Sequence, residues 1–462
     1  MRRVITVLVI FALVMLGFAG SVSAAAPQFD GEVSPKAVLL IDADSGYEMF
    51  AKNKDERVEP ASTTKIMTCI LALESASMDT KVTVSEKAAD ARGSSLDLEE
   101  DEIVEMGDLL HGMMMVSGND AAIAVAEAIS GDISKFADLM NAKAQALGMT
   151  NTHFVNPHGM HDEEHYTTAG DMAKLMQYAV KNPAFMDIID RDSYTMPQSN
   201  KQSSKSKGNT NLLMRSDEDE YYPYATGGKT GSTEQAGGCL VASASKDNMN
   251  LICLIFGDES SKGAKRWSTA KTLFDFGFNN FVTIDLQQLL DKAEPVKVQI
   301  DNYASTDEND GLLVFEGPQS AGTYQTIDKS IADGILDGTD RIIADEPDFT
   351  STLQAPILKG DVLGTVTYRS EATGEPIYTG NLIATRDVLQ AGAEPDASGG
   401  TAVTVVQPVN IEEIKSSDGS IFYWLIIPGA LIIFLVVRLL TVTRRKRKRF
   451  SKKRPHYSYR IK

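Results

Sequence analysis

Two apolar runs, residues 4–18 and 421–437, confine everything that folds in water to the chain between them. The first sits behind Arg2 and Arg3 and ends in Val22-Ser23-Ala24, so residues 1–24 read as a secretory signal peptide. The second is long enough to cross a bilayer if Arg438 snorkels to the interface, which makes residues 421–440 a C-terminal transmembrane helix. Beyond it stands Arg444-Arg445-Lys446-Arg447-Lys448-Arg449 with no acid nearby. Such a cluster stays in the cytoplasm and is drawn to anionic head groups. Residues 441–462 are therefore expected to be a basic cytoplasmic tail, and the body to lie outside a single-pass cell membrane. Charge divides the same way. The chain carries 45 Lys and Arg against 63 Asp and Glu; with twelve basic residues after position 437 and two before 25 set aside, 31 face all 63 acids. A body that acidic excludes nucleic acid as a partner.

Inside those limits the pattern of residues is legible. Residues 37–42 form an apolar strand, Asp44-Ser45-Gly46 a turn, and residues 47–51 the return. A helix runs from Ser62 to Leu73, and residues 106–115 and 120–129 are helical by period, with Ser117-Gly118-Asn119 between them. Thr168-Ala169-Gly170-Asp171 opens another helix in capping-box fashion. Residues 238–243 and 250–256 read as a hairpin, preceded by a strand carrying Gly227 to Gly231. Strand, helix cluster, then strands predict an α+β domain over residues 27–285, a mixed sheet with helices packed on it. Short alternating runs at 296–300, 312–316, 323–327 and 361–368 predict a small β-rich domain over 286–390, a spacer or interaction module without a catalytic cluster. Within it, Asp307-Glu308-Asn309-Asp310-Gly311 lacks the closing Glu of a calcium loop and reads as a solvated turn. Residues 391–420, rich in Gly, Ala, Ser and Pro, are expected to be a flexible linker.

The chemistry begins at Ser62-Thr63-Thr64-Lys65. Positions i and i+3 of a helix share a face, so the Lys65 amine can sit beside the Ser62 hydroxyl. A serine needs a base to become a nucleophile, and a desolvated lysine can be one. Ser-x-x-Lys alone is common. Here Ser117-Gly118-Asn119 and Lys229-Thr230-Gly231 follow it in order, and the three together are the signature of serine enzymes that recognise penicillin.

On these motifs the chain resembles the low-molecular-weight penicillin-binding proteins that act as D-alanyl-D-alanine carboxypeptidases. The resemblance spans residues 33–285 and includes Asn209-Thr210-Asn211-Leu212-Leu213 and the stretch from Gly159 to Ala173. It implies a β-lactamase/transpeptidase-like fold, peptidoglycan stem peptides as substrate, β-lactams as inhibitors and no cofactor. Ser62 then forms the acyl-enzyme and Lys65 accepts its proton, remaining neutral beside the positive charge of Lys229. Ser117 relays a proton to the leaving amine with help from Lys229, and Asn119 holds the substrate amide. Lys229 and Thr230 meet the terminal carboxylate, and the backbone N–H groups of Ser62 and Ser232 face the oxyanion. Gly227, Gly228 and Gly231 let the backbone approach the ligand. Arg266 falls where the family places an arginine for that carboxylate; by its residues alone it reads equally as a surface arginine on a helix over 267–274. Family members often attach by an amphipathic helix, whereas the segment here reads as spanning.

Two other functions share some of these features. A β-lactamase carries the same three motifs but needs a Glu-x-x-x-Asn-like loop for fast deacylation, and between Ser117 and Lys229 no such loop occurs. An inactive wall-binding scaffold is at odds with an intact Ser62, Lys65, Ser117, Asn119 and Lys229. Of His153, His158, His161 and His165, the last two have a spacing that could serve one face of a helix, but Pro157, Gly159 and Asp162-Glu163-Glu164 mark a loop, so no metal is expected. His111 and Met113-Met114-Met115 read as helix packing. Of three cysteines, Cys69 reads as a small buried side chain; Cys239 and Cys253 face each other only if the parity of the hairpin register allows it.

Overall fold

Ala37-Val38-Leu39-Leu40-Ile41-Asp42 is apolar on both sides of the pleat, which suits only a strand covered on both faces. It forms β1 (Ala37–Asp42), buried along its whole length. The computed structural model describes residues 27–315, 324–350 and 352–392, all within one compact unit that ends at Gly392. The signal at 1–24, the linker from residue 393, the membrane helix at 421–440 and the tail at 441–462 lie outside the described residues. Among the described residues, no helix is long and apolar enough to cross a membrane.

β1 pairs with β2 (Glu48–Lys52) on one side. On the other it pairs with the last strand of a meander formed much later in the chain: β3 (Ala225–Thr233), β4 (Gly237–Lys246) and β5 (Met249–Asp258). The order is β2-β1-β5-β4-β3. Every neighbouring pair is antiparallel, where the order of elements suggested a mixed sheet. Short turns reverse the chain at each step of the meander, so no crossover leaves two strands parallel. The β4–β5 turn is Asp247-Asn248, both at positive φ (51° and 64°), the two-residue geometry that matches strand twist.

Between β2 and β3 the chain builds the helices α1 (Lys65–Ser75), α2 (Met106–Met115), α3 (Asn119–Ser130), α4 (Ile133–Ala146), α5 (Ala169–Ala179) and α6 (Pro183–Ile189). Thr168 caps α5 as its sequence predicts, accepting from the amide of Asp171 at 3.1 Å. These helices cover one face of the sheet, meeting Leu39, Ile41, Val241, Ile252 and Leu254. His111, Met113 and Met114 are buried on that side, as packing predicts. The other face, with Val38, Leu40, Leu240 and Ile255, is covered by α7 (Lys265–Asn280) through Trp267, Leu273 and Phe274. Each such side chain, fully buried, stabilises the fold by about 1.5–3 kcal/mol.

That two-faced packing decides the cysteine question. Cys239 belongs to the helix-cluster face and Cys253 to the α7 face, and all three thiols are free and buried. Burial also holds each thiol above its ordinary pKa. Titration with an aromatic disulfide is expected to find no reactive thiol in the native protein and three after denaturation. A reductant is expected to leave Tm unchanged; a drop would reveal a disulfide.

Residues 286–388 bury a cluster of their own. The expected strands appear as Val296–Gln299, Leu312–Phe315, Tyr324–Asp328 and Val362–Ser370, joined by Pro376–Ile383. Two short helices, Leu286–Leu290 and Lys329–Asp337, were not legible, being too brief to show a period. The Asp307 turn is exposed at Glu308, Asn309 and Asp310, as expected, but the Asp307 side chain itself is covered. Its carboxylate is gripped by Arg386 (2.6 and 2.9 Å) and accepts from the amides of Asn309 and Gly311.

Candidate active site

Ser62 sits on a tight 3-10 turn, Ala61–Thr64, that runs into α1 at Lys65. In such a turn residues i and i+3 eclipse, so Ser62 and Lys65 face each other as the helical spacing predicts. Ala61 is held at φ 45°, a conformation few non-glycine residues adopt. Ser62 remains partly exposed while Lys65 is wholly buried.

The Lys65 amine lies 3.0 Å from Ser62 Oγ, 2.7 Å from Asn119 Oδ1 and 2.8 Å from the carbonyl oxygen of His158. Two of these partners are pure acceptors, so each must receive an N–H. A neutral amine has two hydrogens and one lone pair. With both hydrogens committed to Asn119 and His158, the lone pair is left for the Ser62 hydroxyl. Electrostatics favours that state. Burial, then the charge of Lys229, pull the Lys65 pKa well below its ordinary value, with Asp120 opposing.

Lys229 lies within β3, on the edge strand, and is 1% exposed. It donates to the carbonyl oxygen of Thr230 at 2.9 Å. Burial and then the Arg266 charge pull its pKa down to about 7. Gly231 follows, and a Cβ there would stand 2.9 Å from Ser62 N and 3.0 Å from Ala61 Cβ. Glycine is what lets β3 lie against the nucleophile turn. Gly227 and Gly228 do not face ligand space, as their spacing had suggested; they accommodate Ile189 and the backbone at Val241. Ser232 is exposed at the edge of β3, lining a cavity of about 610 Å³ with Glu59, Tyr166 and Gly238.

Ser117 joins α2 to α3 at φ 66°, and its hydroxyl is buried without a hydrogen-bond partner. Strain of this kind costs about 1–3 kcal/mol and persists only where surrounding structure enforces it. The enforcement comes from Asp120, whose carboxylate accepts from Ser95 Oγ and the amides of Leu96 and Leu98. Asn119 is more committed than its sequence suggests. Its Oδ1 takes the Lys65 amine and its Nδ2 donates to the Arg92 carbonyl at 2.6 Å, so in this structure it positions the lysine.

Arg266, on the first turn of α7, is partly buried and packs beside Gly238 and Gly263. Its Nε and Nη1 are buried without partners. Among the described residues no carboxylate bonds either nitrogen, as one would on an ordinary surface arginine, and the Arg266 charge is felt at Lys229.

Other contributors carry no readable spacing. Loop 156–159 lies on the nucleophile turn: Thr68 donates to the Pro157 carbonyl at 2.6 Å, the His158 carbonyl takes Lys65, and Gly159 abuts Ala61. His165 accepts from the Val155 amide through Nδ1, so its Nε2 carries the hydrogen and donates to Thr64 Oγ1 at 2.9 Å. Burial pulls the His165 pKa down to about 4, so the ring is neutral near pH 7. His161 pairs with Glu59 and His153 with the Glu164 carbonyl, so these histidines bind protein groups. The clusters assemble a serine beside a buried amine of depressed pKa, an unpartnered second hydroxyl, and the Lys229 and Arg266 side chains. That set can form and hydrolyse an ester at Ser62 while holding an anion.

Comparison with known proteins agrees with this geometry. A family model described as D-alanyl-D-alanine carboxypeptidase, peptidase S11, matches residues 21–260. The D-alanyl-D-alanine carboxypeptidase DacF of Bacillus subtilis is 32% identical over 410 residues, 85% of this chain and 96% of its own. DacA of Haemophilus influenzae is 32% identical over 396 residues, 80% and 90% respectively. Among solved structures, DacD from Francisella tularensis superposes with a TM-score of 0.63 at 29% identity, covering 81% of this chain and 99% of its own. Penicillin-binding protein 5 from Haemophilus influenzae gives 0.62 at 29% identity, covering 79% and 100%. The chain belongs to the D-alanyl-D-alanine carboxypeptidase family of serine peptidases.

Proposed function

We propose that this chain removes the terminal D-alanine from peptidoglycan stem pentapeptides through an acyl-enzyme on Ser62, and that β-lactams acylate the same oxygen. The observation that carries this reading is the Lys65 amine, buried, depressed in pKa, and 3.0 Å from the Ser62 hydroxyl oxygen. The Ser62 oxygen attacks the carbonyl of the D-Ala–D-Ala bond as its proton passes to Lys65. The bond to the leaving nitrogen breaks when that nitrogen gains a proton through the Ser117 hydroxyl. Water, deprotonated by Lys65, then frees the shortened peptide and restores the serine. Lys229, Thr230 and Arg266 hold the terminal carboxylate, while the backbone amides of Ser62 and Ser232 receive the oxyanion. The body works outside the membrane, tethered by residues 421–440.

Mass spectrometry of the full chain after penicillin treatment tests this. A stable adduct mapping to Ser62, together with free D-alanine from a pentapeptide ending in D-Ala-D-Ala, supports it. Labelling without D-alanine release leaves a scaffold, and rapid turnover of penicillin leaves a β-lactamase.

The two lysines also set the pH profile. Acylation is expected to rise with pH as Lys65 loses its proton, and to fall as Lys229 loses its charge, near pH 7. Arg266 lowers the Lys229 pKa, so Arg266→Gln raises it. The alkaline limb of kcat/KM should then move to higher pH while KM increases. An unmoved alkaline limb would show that Lys229 does not govern it.

A further inference from the structure

Thr230 and Thr210 place their hydroxyl oxygens 2.9 Å apart across the open edge of β3. Thr230 is 7% exposed, and Thr210 is the only other group its hydroxyl bonds among the described residues. Lys229 bonds the Thr230 carbonyl and leaves the side chain alone.

Thr210 is an exposed residue on an unusually fixed backbone. Its amide donates to the Met115 carbonyl at 2.9 Å, at the end of the helix that leads into Ser117. Asn209, 2% exposed, donates from its own amide to the Asp192 carbonyl and from Nδ2 to the Arg191 carbonyl, both at 2.7 Å. Its Oδ1 receives the amide of Asn211, which is wholly buried. A side chain open to solvent thus stands on a clamped turn, within reach of one hydroxyl of the site.

We propose that Thr210 is a positioning residue that aims the Thr230 hydroxyl at the substrate's terminal carboxylate. This rests on the carboxypeptidase reading, in which Thr230 meets that carboxylate. Each hydroxyl owns a single hydrogen, and a carboxylate can only accept. Either threonine can be the donor in their mutual bond, so Thr230 can keep that bond and still give its one hydrogen to the carboxylate only when Thr210 is the donor. The chain runs Thr210 O–H to Thr230 O–H to carboxylate, and each bond polarises the next. With Thr210 silent, the Thr230 hydroxyl is free to rotate away from the ligand. The effect acts on binding of the carboxylate and leaves the Ser62–Lys65 chemistry in place.

A double-mutant cycle tests this with Thr210→Val, which keeps the shape and removes the hydroxyl, Thr230→Val, and both together. Thr210→Val is expected to raise KM for the pentapeptide five- to tenfold with kcat within twofold. In the Thr230→Val background it should change nothing further. Thr210→Ser should restore the wild-type KM, which a purely structural role for the methyl-bearing side chain would not predict. Additive losses, a fall in kcat at constant KM, or failure of the serine variant would overturn the proposal. The same cycle read as the second-order rate of acylation by benzylpenicillin, which also bears a carboxylate, keeps the test independent. If the wild type releases no D-alanine, the functional reading fails while the acylation cycle still decides the role of Thr210.

Discussion

Ser62→Ala is expected to abolish penicillin labelling and to cut D-alanine release by at least about 10⁴-fold, and Lys65→Met to do nearly as much. The losses should not add, because the hydroxyl and the amine act as one unit: without the base the serine keeps its proton, and without the serine the base has nothing to activate. Methionine matches the lysine stem in length but leaves Asn119 Oδ1 and the His158 carbonyl without their donor. Each orphaned acceptor costs about 1–3 kcal/mol, set against relief from burying an amine. Tm is therefore expected to move by only a few degrees while acylation collapses. Lys65→Arg should fail as well, since a guanidinium stays charged and cannot accept a proton. Normal acylation kinetics in Lys65→Met, on protein shown by circular dichroism to be folded, would sink the lysine-base reading.

The second large effect comes from a residue with no polar side chain. Gly159 has φ 84°, and a Cβ there would lie 1.8 Å from the Ala61 carbonyl oxygen and 2.8 Å from Thr64 Oγ1. Those neighbours are backbone and a buried hydroxyl of the nucleophile turn, and neither can step aside without moving Ser62. Gly159→Ala is expected to destabilise by about 2–4 kcal/mol and, in the protein that folds, to slow acylation roughly 100-fold, the usual consequence of displacing a reacting group by about 1 Å. Gly131 supplies the control. It has the same φ of 84°, but a Cβ added there would meet nothing within 4 Å. Gly131→Ala should therefore carry the backbone strain alone, about 1 kcal/mol, with acylation unchanged. Equal effects from the two substitutions, measured by urea unfolding and acylation rate, would assign the loss to backbone conformation rather than to pressure on the nucleophile turn.

The contrast between Lys65 and Gly159 marks how much of the site was legible. Ser62 and Lys65 share a local spacing, and that spacing works in a 3-10 turn as well as in an α-helix, so the motif was sound although its local geometry was not foreseen. Asn119 was placed at the site, but its bond to Lys65 was not foreseen. An amide at a helix start looks free to bind substrate, and only the burial of Lys65 beneath it shows where its oxygen goes. The His158 carbonyl belongs to a loop whose residue types carry no chemical signature, and Thr210 to a stretch that the resemblance included without giving it a role. Their value lies in where a distant helix and strand hold them. The apolar runs read as strands appear as β1 and the β4–β5 hairpin, whereas the short helices at 286–290 and 329–337 had too few turns to register.

Sequence alone determined the reaction class, because a hydroxyl and an amine three residues apart, followed in order by two further motifs, form a chemical set that chance seldom assembles. It also determined which segments pack in strands and helices, since hydrophobic periodicity is a local property. Tertiary structure decided the rest. Side-chain parity on β4 and β5 sends Cys239 and Cys253 to opposite faces. The close approach of β3 to Ser62 explains why residue 231 is glycine. Burial of Lys65 beside Lys229 pulls its pKa well below that of an ordinary lysine. Each depends on distances between residues far apart in the chain, and desolvation and charge coupling arise only once those distances are set.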